Sequence, residues 1–154
     1  MTLLSEIYNT KILELAAAIA HARRLPHPDA SATAHSKLCG STVTVDLKMA
    51  GERVTDFGQT VRACLLGQSA ASVVGREIVG SSADELREVG RIMRCMLKQG
   101  GPAPAGRWAD LAVLQPVRDY KARHASTLLV FDAVERALAD IEAKHASSAA
   151  GATA

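Results

Sequence analysis

The chain has 154 residues, of which 48% are hydrophobic, 22% charged and 3% aromatic, with a formal net charge of +2. That length suits one domain able to bury roughly two-thirds of its unfolded surface without disulfides or metal staples. Interspersed charges and scarce aromatic rings exclude a nucleic-acid footprint with base-stacking platforms, and no run of about 18 apolar residues is present to span a membrane.

The segment Met1-Thr2-Leu3-Leu4-Ser5-Glu6 has no basic stretch followed by an apolar one, so no export signal is expected and the protein is assigned to the cytoplasm. Thiols stay reduced there. Cys39, Cys64 and Cys95 are odd in number and form no CxxC pair, which does not describe a disulfide framework. Two readings stay open for them: buried apolar filler, or thiolate chemistry.

The first element expected is a helix from about Leu4 to Ala22, with Ile7, Ile12, Leu15, Ala16 and Ile19 at helical spacing. Pro26 and Pro28 then force Arg24 to Asp29 out of the helix. A polar, small-residue stretch from Ala30 to Lys37 leads to Leu38-Cys39-Gly40. From Thr42 the pattern changes to period two: Val43, Val45, Leu47 and Met49 alternate with Thr42, Thr44, Asp46 and Lys48, as in a half-buried strand. Ala50-Gly51-Glu52 supplies a turn into a second strand, Arg53 to about Ala63, completing an antiparallel hairpin.

After Cys64 a small-residue helix is expected to about Val79, stopped by Gly80. Ser82 and Glu85 have capping-box spacing and open a further helix to about Gln99. Gly100 to Gly106 is a loop, Trp108 to Val117 a short helix ended or bent by Pro116, and about Ser126 to Lys144 a last amphipathic helix. The fold class is α+β: a small antiparallel sheet covered by helices, in one domain over 1–146, with 147–154 expected to be a disordered tail.

Two antiparallel strands joined by a short turn bring their outer ends together, so the hairpin places Cys39 near Cys64. Cys64 also precedes a helix, whose N-terminal N–H groups and partial positive charge favour a thiolate. Gly40 permits close backbone approach to a bound ion. Cys95, mid-helix in Arg91-Ile92-Met93-Arg94-Cys95-Met96-Leu97, reads as filler. His35, four residues before Cys39, is a minor candidate ligand, and Arg87, Glu88, Arg91 and Arg94 read as a solvated helix face.

Leu38-Cys39-Gly40-Ser41, the hairpin, Ala63-Cys64 with its small-residue helix, Tyr8-Asn9 near the start and Ala122-Arg123-His124-Ala125-Ser126 before the last helix together resemble the U-type iron–sulfur cluster scaffold family. That family comprises IscU, SufU and the N-terminal domain of NifU, and the resemblance runs over roughly residues 5 to 140. The insertion from about Gly100 to Asp119 favours the SufU-like branch. The implied fold is a sheet of about three strands packed against several helices.

The resemblance implies a site of three cysteines and an aspartate, and this chain departs from it. Cys39 and Cys64 match two cysteines, and Ser41 stands where the aspartate is expected. A gapless alignment through Asp132-Ala133-Val134 puts Ser126 at the third cysteine; a shift by one puts Ala125 there and His124 at the histidine that precedes it in the IscU-like branch. Zinc wants four S, N or O ligands and a cluster usually four thiolates, whereas a serine hydroxyl stays protonated near neutral pH. The candidate metal ligands are therefore Cys39, Cys64, His124, Ser41 and Ser126, with Cys64 the candidate persulfide acceptor and His124 equally readable as a hydrogen-bonded loop histidine.

The implied cargo or cofactor is a transient iron–sulfur cluster or zinc, or none. The implied partners are a cysteine desulfurase and other assembly proteins, and a homodimer sharing its site would restore missing ligands. Arg118-Asp119-Tyr120-Lys121-Ala122-Arg123 reads equally as a basic docking surface or an ordinary exposed segment. The expected role is a scaffold or carrier rather than an enzyme, since no Ser-His-Asp signature, P-loop or GxGxxG occurs. The alternative is an adaptor that keeps the docking surface without metal chemistry.

Overall fold

The computed structural model describes residues 9–37 and 40–152; the start of the expected first helix and Cys39 lie outside the described residues. The described residues form a three-stranded antiparallel sheet in the order β1-β2-β3, with helices packed on it. This is the α+β architecture expected.

Helix α1 spans Thr10–Ala17, with the Asn9 side chain accepting from the Ile12 N–H at 3.0 Å, and it buries Ile12, Leu15 and Ala16. It ends before the Ala22 expected from alanine propensity, and the reason is tertiary. The Ala18 carbonyl accepts from Ser72 Oγ at 3.3 Å, Ala20 from Gln59 Nε2 at 3.1 Å, and His21 from the Gln59 N–H at 2.9 Å. Those carbonyls are spent on neighbouring elements instead of another helical turn.

The chain after α1 lies directly on the back of the sheet. A Cβ at Gly58 would fall 2.3 Å from the Arg23 carbonyl oxygen, so only glycine permits this approach. Asp46 anchors the same loop: fully buried, its carboxylate accepts from Arg24 Nε at 2.7 Å, the Leu25 N–H at 2.9 Å and Ser31 Oγ at 2.5 Å. Burial alone would push this carboxyl up, but those hydrogen bonds outweigh it and hold Asp46 below the usual carboxylate range.

Strand β1 spans Ala30–His35 and pairs with β2, Thr42–Ala50, from Ala30↔Leu47 to His35↔Thr42. The small-residue stretch expected to run simply up to Leu38 is thus an edge strand. Ala30 and Ala34 point inward while Ser31, Thr33 and His35 are exposed, an alternation muted by the small apolar side chains. Strand β3, Arg53–Arg62, completes the expected hairpin, pairing Thr42↔Arg62 at its open end and Ala50↔Arg53 at the turn.

Helix α2, Leu65–Glu77, is buried along most of its length, and its serines spend their hydroxyls on the backbone: Ser69 Oγ donates to the Ile12 carbonyl at 2.9 Å. Helix α3, Ala83–Gln99, begins at Ser82, whose hydroxyl accepts from the Glu85 N–H at 3.1 Å. The Glu85 carboxylate reaches outward, accepting from Arg107 Nε at 2.9 Å and Trp108 Nε1 at 2.7 Å. It thereby fastens the next segment to α3.

That segment, Gly106–Asp119, is 3-10 rather than α-helical. Its buried residues Trp108, Leu111, Leu114 and Val117 recur every third position, the period of a 3-10 turn, and Pro116 is accommodated within it. A further 3-10 turn, Lys121–Arg123, leads into α4, His124–Ala152, which lies across β1, β2, α2 and α3. The backbone of α4 thus continues past the Lys144 end expected for the last helix and through 147–152. Two of its side chains cap carbonyls on and beside the edge strand: Arg136 Nη1 bonds Thr33 O at 2.7 Å and Lys144 Nζ bonds Asp29 O at 2.6 Å. Arg94 departs from the solvated face expected for it, clamping α3 to α4 through Asp132 at 2.7 Å and through Glu135.

Candidate functional site

The open end of the hairpin, the start of α2 and the start of α4 meet at one place. Ser41 immediately precedes the Thr42↔Arg62 pair that ends the β2–β3 ladder, and Cys64 follows Arg62 by one intervening alanine. Ser41 is buried, and its carbonyl accepts from the Ser36 N–H at 2.9 Å. Gly40 donates to the Ser36 carbonyl at 2.9 Å, closing the β1–β2 connection in which Cys39 occurs. Cys39 itself lies outside the described residues.

Cys64 occupies the N-cap position of α2 in an extended conformation, φ −65° and ψ 171°. Its side chain makes no capping hydrogen bond, so the sulfur is not spent on the helix N–H groups. The half-buried thiol instead faces Ser126, with Sγ 3.4 Å from Oγ. Ser126 Oγ is also 3.2 Å from the Arg123 carbonyl, to which it can donate, and in its contact with Cys64 either group can be the donor. Ser126 is 1% exposed, whereas the neighbouring Ala125 is exposed. The gapless register thus corresponds to the residue that touches Cys64.

Gly67 explains how the two helices come so close. A Cβ there would lie 2.8 Å from the Ser126 carbonyl oxygen and 2.8 Å from the Ala63 Cβ. The missing side chain lets the first turn of α2 settle onto the first turn of α4. Sequence reasoning passed over Gly67, although a lone glycine inside a small-residue helix signals such an approach.

His124 begins α4 and is buried, with Nε2 3.0 Å from the Arg118 carbonyl and 3.1 Å from the Val117 carbonyl. Carbonyls only accept, so Nε2 is the donor in both contacts. The ring ties the end of the 3-10 segment to the start of α4. His35 is exposed at the end of β1, paired in register with Thr42. Cys95 belongs to α3, where its half-buried thiol bonds Gln99 Oε1 at 3.5 Å beneath Gly101. It is less enclosed than the apolar filler expected.

Among the described residues no group of three or more His, Cys, Asp and Glu side chains converges. One thiol and neutral hydroxyls do not make a closed zinc site. In the chain shortly before Cys64 and Ser126 the exposed charged residues are Arg62, and then Arg118, Asp119, Lys121 and Arg123. Among the described residues no helix is long and apolar enough to cross a membrane.

No protein-family model matches the chain, and no curated protein does. Solved structures do. A nitrogen-fixing NifU-like protein (N-terminal) from Brucella abortus is 56% identical, covers 92% of this chain and 98% of its own, and superposes with a TM-score of 0.90. An iron–sulfur cluster assembly scaffold protein for the SUF system from Fervidobacterium islandicum is 19% identical over 87% of this chain and 98% of its own, with a TM-score of 0.79, and shares the fold. On its fold and its identity to the Brucella protein, the chain belongs to the U-type iron–sulfur cluster scaffold family, that of NifU-like N-terminal domains.

Proposed function

We infer that the chain serves iron–sulfur cluster assembly as a scaffold, accepting sulfur at Cys64 and holding iron or a nascent cluster through Cys39 and Cys64. Ser41, Ser126 and His124 are the further candidate ligands. The observation that carries this reading is the Cys64 thiol itself: it stands at the N-terminus of α2, is not used as a cap, and faces Ser126. The 56% identity to a NifU-like domain supports the same class of role.

Sulfur enters by thiol exchange. The Cys64 thiolate attacks the outer sulfur of a persulfide on a cysteine desulfurase, the donor cysteine leaves as a thiolate, and Cys64 becomes the persulfide. The exposed Arg62, Arg118, Lys121 and Arg123 supply a basic surface on which an acidic face of the donor would dock. A cluster usually takes four thiolates, so two thiolates with neutral oxygens hold this cargo weakly and leave positions for a client or a second copy. Weak holding suits transfer. Reduced cytoplasmic thiols are the condition under which this chemistry runs.

The test is incubation with a cysteine desulfurase and cysteine, followed by mass analysis of cysteine-containing peptides. A sulfur added at Cys64, and lost in Cys64→Ser, is the result expected. The second reading, an adaptor without metal chemistry, draws on the absence of a converging ligand trio among the described residues. It expects desulfurase binding with no sulfur transferred.

A further inference from the structure

We propose that the groove at the closed end of the β2–β3 hairpin is a docking site for a partner protein, and that it takes a lysine or arginine side chain lying beside an apolar one. The hairpin turn at Gly51 and Glu52, the first turn of α3 and the far half of α4 meet there around a cavity of about 240 Å³. Its floor is apolar, made by Met49, Ala83, Leu138 and Ile141. Pockets for drug-sized ligands begin at roughly 300 Å³, so this one suits a single long side chain. The groove is already formed: the Ala83 N–H donates to the Glu52 carbonyl at 2.9 Å, and Arg53 bridges Ser82 across the turn.

Charge selects the occupant. The carboxylates of Glu52, Asp84 and Glu142 line the groove against the single guanidinium of Arg87, with His145 at its α4 end. Arg87 is paired with Glu142 at 2.6 Å and lies 4.0 Å from Asp84. With Arg87 offset by Glu142, the exposed Glu52 and the 93% exposed Asp84 side chain are left to face an incoming cation. A lysine or arginine lays its methylene stem along apolar surface and keeps its charge at a polar rim, which is what this floor and rim offer. An acidic segment would meet like charge at Glu52 and Asp84. The groove lies at the other end of the sheet from Cys64, with the length of Thr42–Ala50 between them, about 30 Å at the usual strand rise. A segment seated here leaves the Cys64–Ser126 contact uncovered, and the inference does not depend on sulfur acceptance at Cys64.

The experiment titrates the isotope-labelled full chain with a blocked pentapeptide, Leu-Arg-Ala-Leu-Arg, and follows backbone amide shifts. Two control peptides replace its arginines with glutamates or its leucines with serines. Saturable shifts are expected at Gly51, Glu52, Ala83 and Asp84, weakened by added salt, with neither control binding comparably. Glu52→Gln/Asp84→Asn should weaken binding by about three- to tenfold, as the loss of exposed charge pairs implies. Glu88→Gln, on α3 but outside the groove lining, leaves it unchanged. Asp84 belongs to the first turn of α3, so Glu52→Gln alone, outside that helix, carries the test if the double variant does not fold. No saturable shift at millimolar peptide, shifts centred away from the groove, or binding indifferent to Glu52 and Asp84 overturns the proposal. So does equal binding of either control peptide. Concentration-dependent shifts of the same amides in the protein alone would make a second copy of the chain the occupant, and overturn it as well.

Discussion

The Cα of Gly67 sits so close to the Ser126 carbonyl that a Cβ would reach within 2.8 Å of its oxygen. This contact sets the approach of the two helix N-termini that carry Cys64 and Ser126. Because the obstacle is backbone, Gly67→Ala cannot be absorbed by a rotamer change. It should cost about 1–3 kcal/mol, typical of overpacking, and raise the alkylation rate of Cys64 as its contact with Ser126 opens. Denaturant unfolding and timed alkylation with Cys39 and Cys95 replaced would show this; unchanged values in both would mean that the helices do not depend on Gly67.

Asp46 should make stability depend on acid. Its folded carboxyl is held low, so its contribution is fully present above the unfolded value of about 3.9 and is lost as pH falls through the lower folded value. Asp46→Ala leaves the Leu25 N–H and the Ser31 hydroxyl without their acceptor and should cost about 2 kcal/mol at neutral pH. The deficit should shrink in acid. A stability-versus-pH curve for Asp46→Ala parallel to the parent's throughout would contradict this account of the loop anchor.

Arg94 should couple α3 to α4. It is one-third exposed, and solvent screening limits each pair, so a double-mutant cycle of Arg94→Ala with Glu135→Ala should give a coupling of only about 0.5–1 kcal/mol. A coupling indistinguishable from zero would return Arg94 to the solvated face that its charge pattern suggested.

His124 is predicted to act as an anchor. Its Nε2–H satisfies the Val117 and Arg118 carbonyls, and His124→Ala should lower stability by about 1–2 kcal/mol. The same variant separates anchoring from ligation, because a ligand role would appear as reduced iron uptake in protein that is still fully folded.

The α+β class and the hairpin were legible because Val43, Val45 and Leu47 alternate with polar residues at the period of a strand. β1 was not, since Ala30 and Ala34 carry too little hydrophobicity to stand out; they are small where α4 crosses the sheet edge. The 3-10 segment was legible in hindsight: Trp108, Leu111, Leu114 and Val117 are three apart, a spacing that an α-helical template absorbs without notice. The early end of α1 could not be read, because it depends on Gln59 and Ser72 far along the chain. At the candidate site, the hairpin argument and the family resemblance singled out Cys64 and Ser126. That Ser126 also reaches the Arg123 carbonyl, and that Gly67 presses the pair together, needed coordinates.

The proposed cluster chemistry depends on Cys39 and Cys64. Its most direct test is iron and acid-labile sulfide analysis of anaerobically purified protein, before and after reconstitution with iron and sulfide. Cys95→Ser and the Cys39→Ser/Cys64→Ser double variant are measured beside it. Stoichiometric iron and sulfide in the parent and in Cys95→Ser, lost in the double variant, is the result predicted. No iron or sulfide in the parent even after reconstitution, or retention in the double variant, would contradict it.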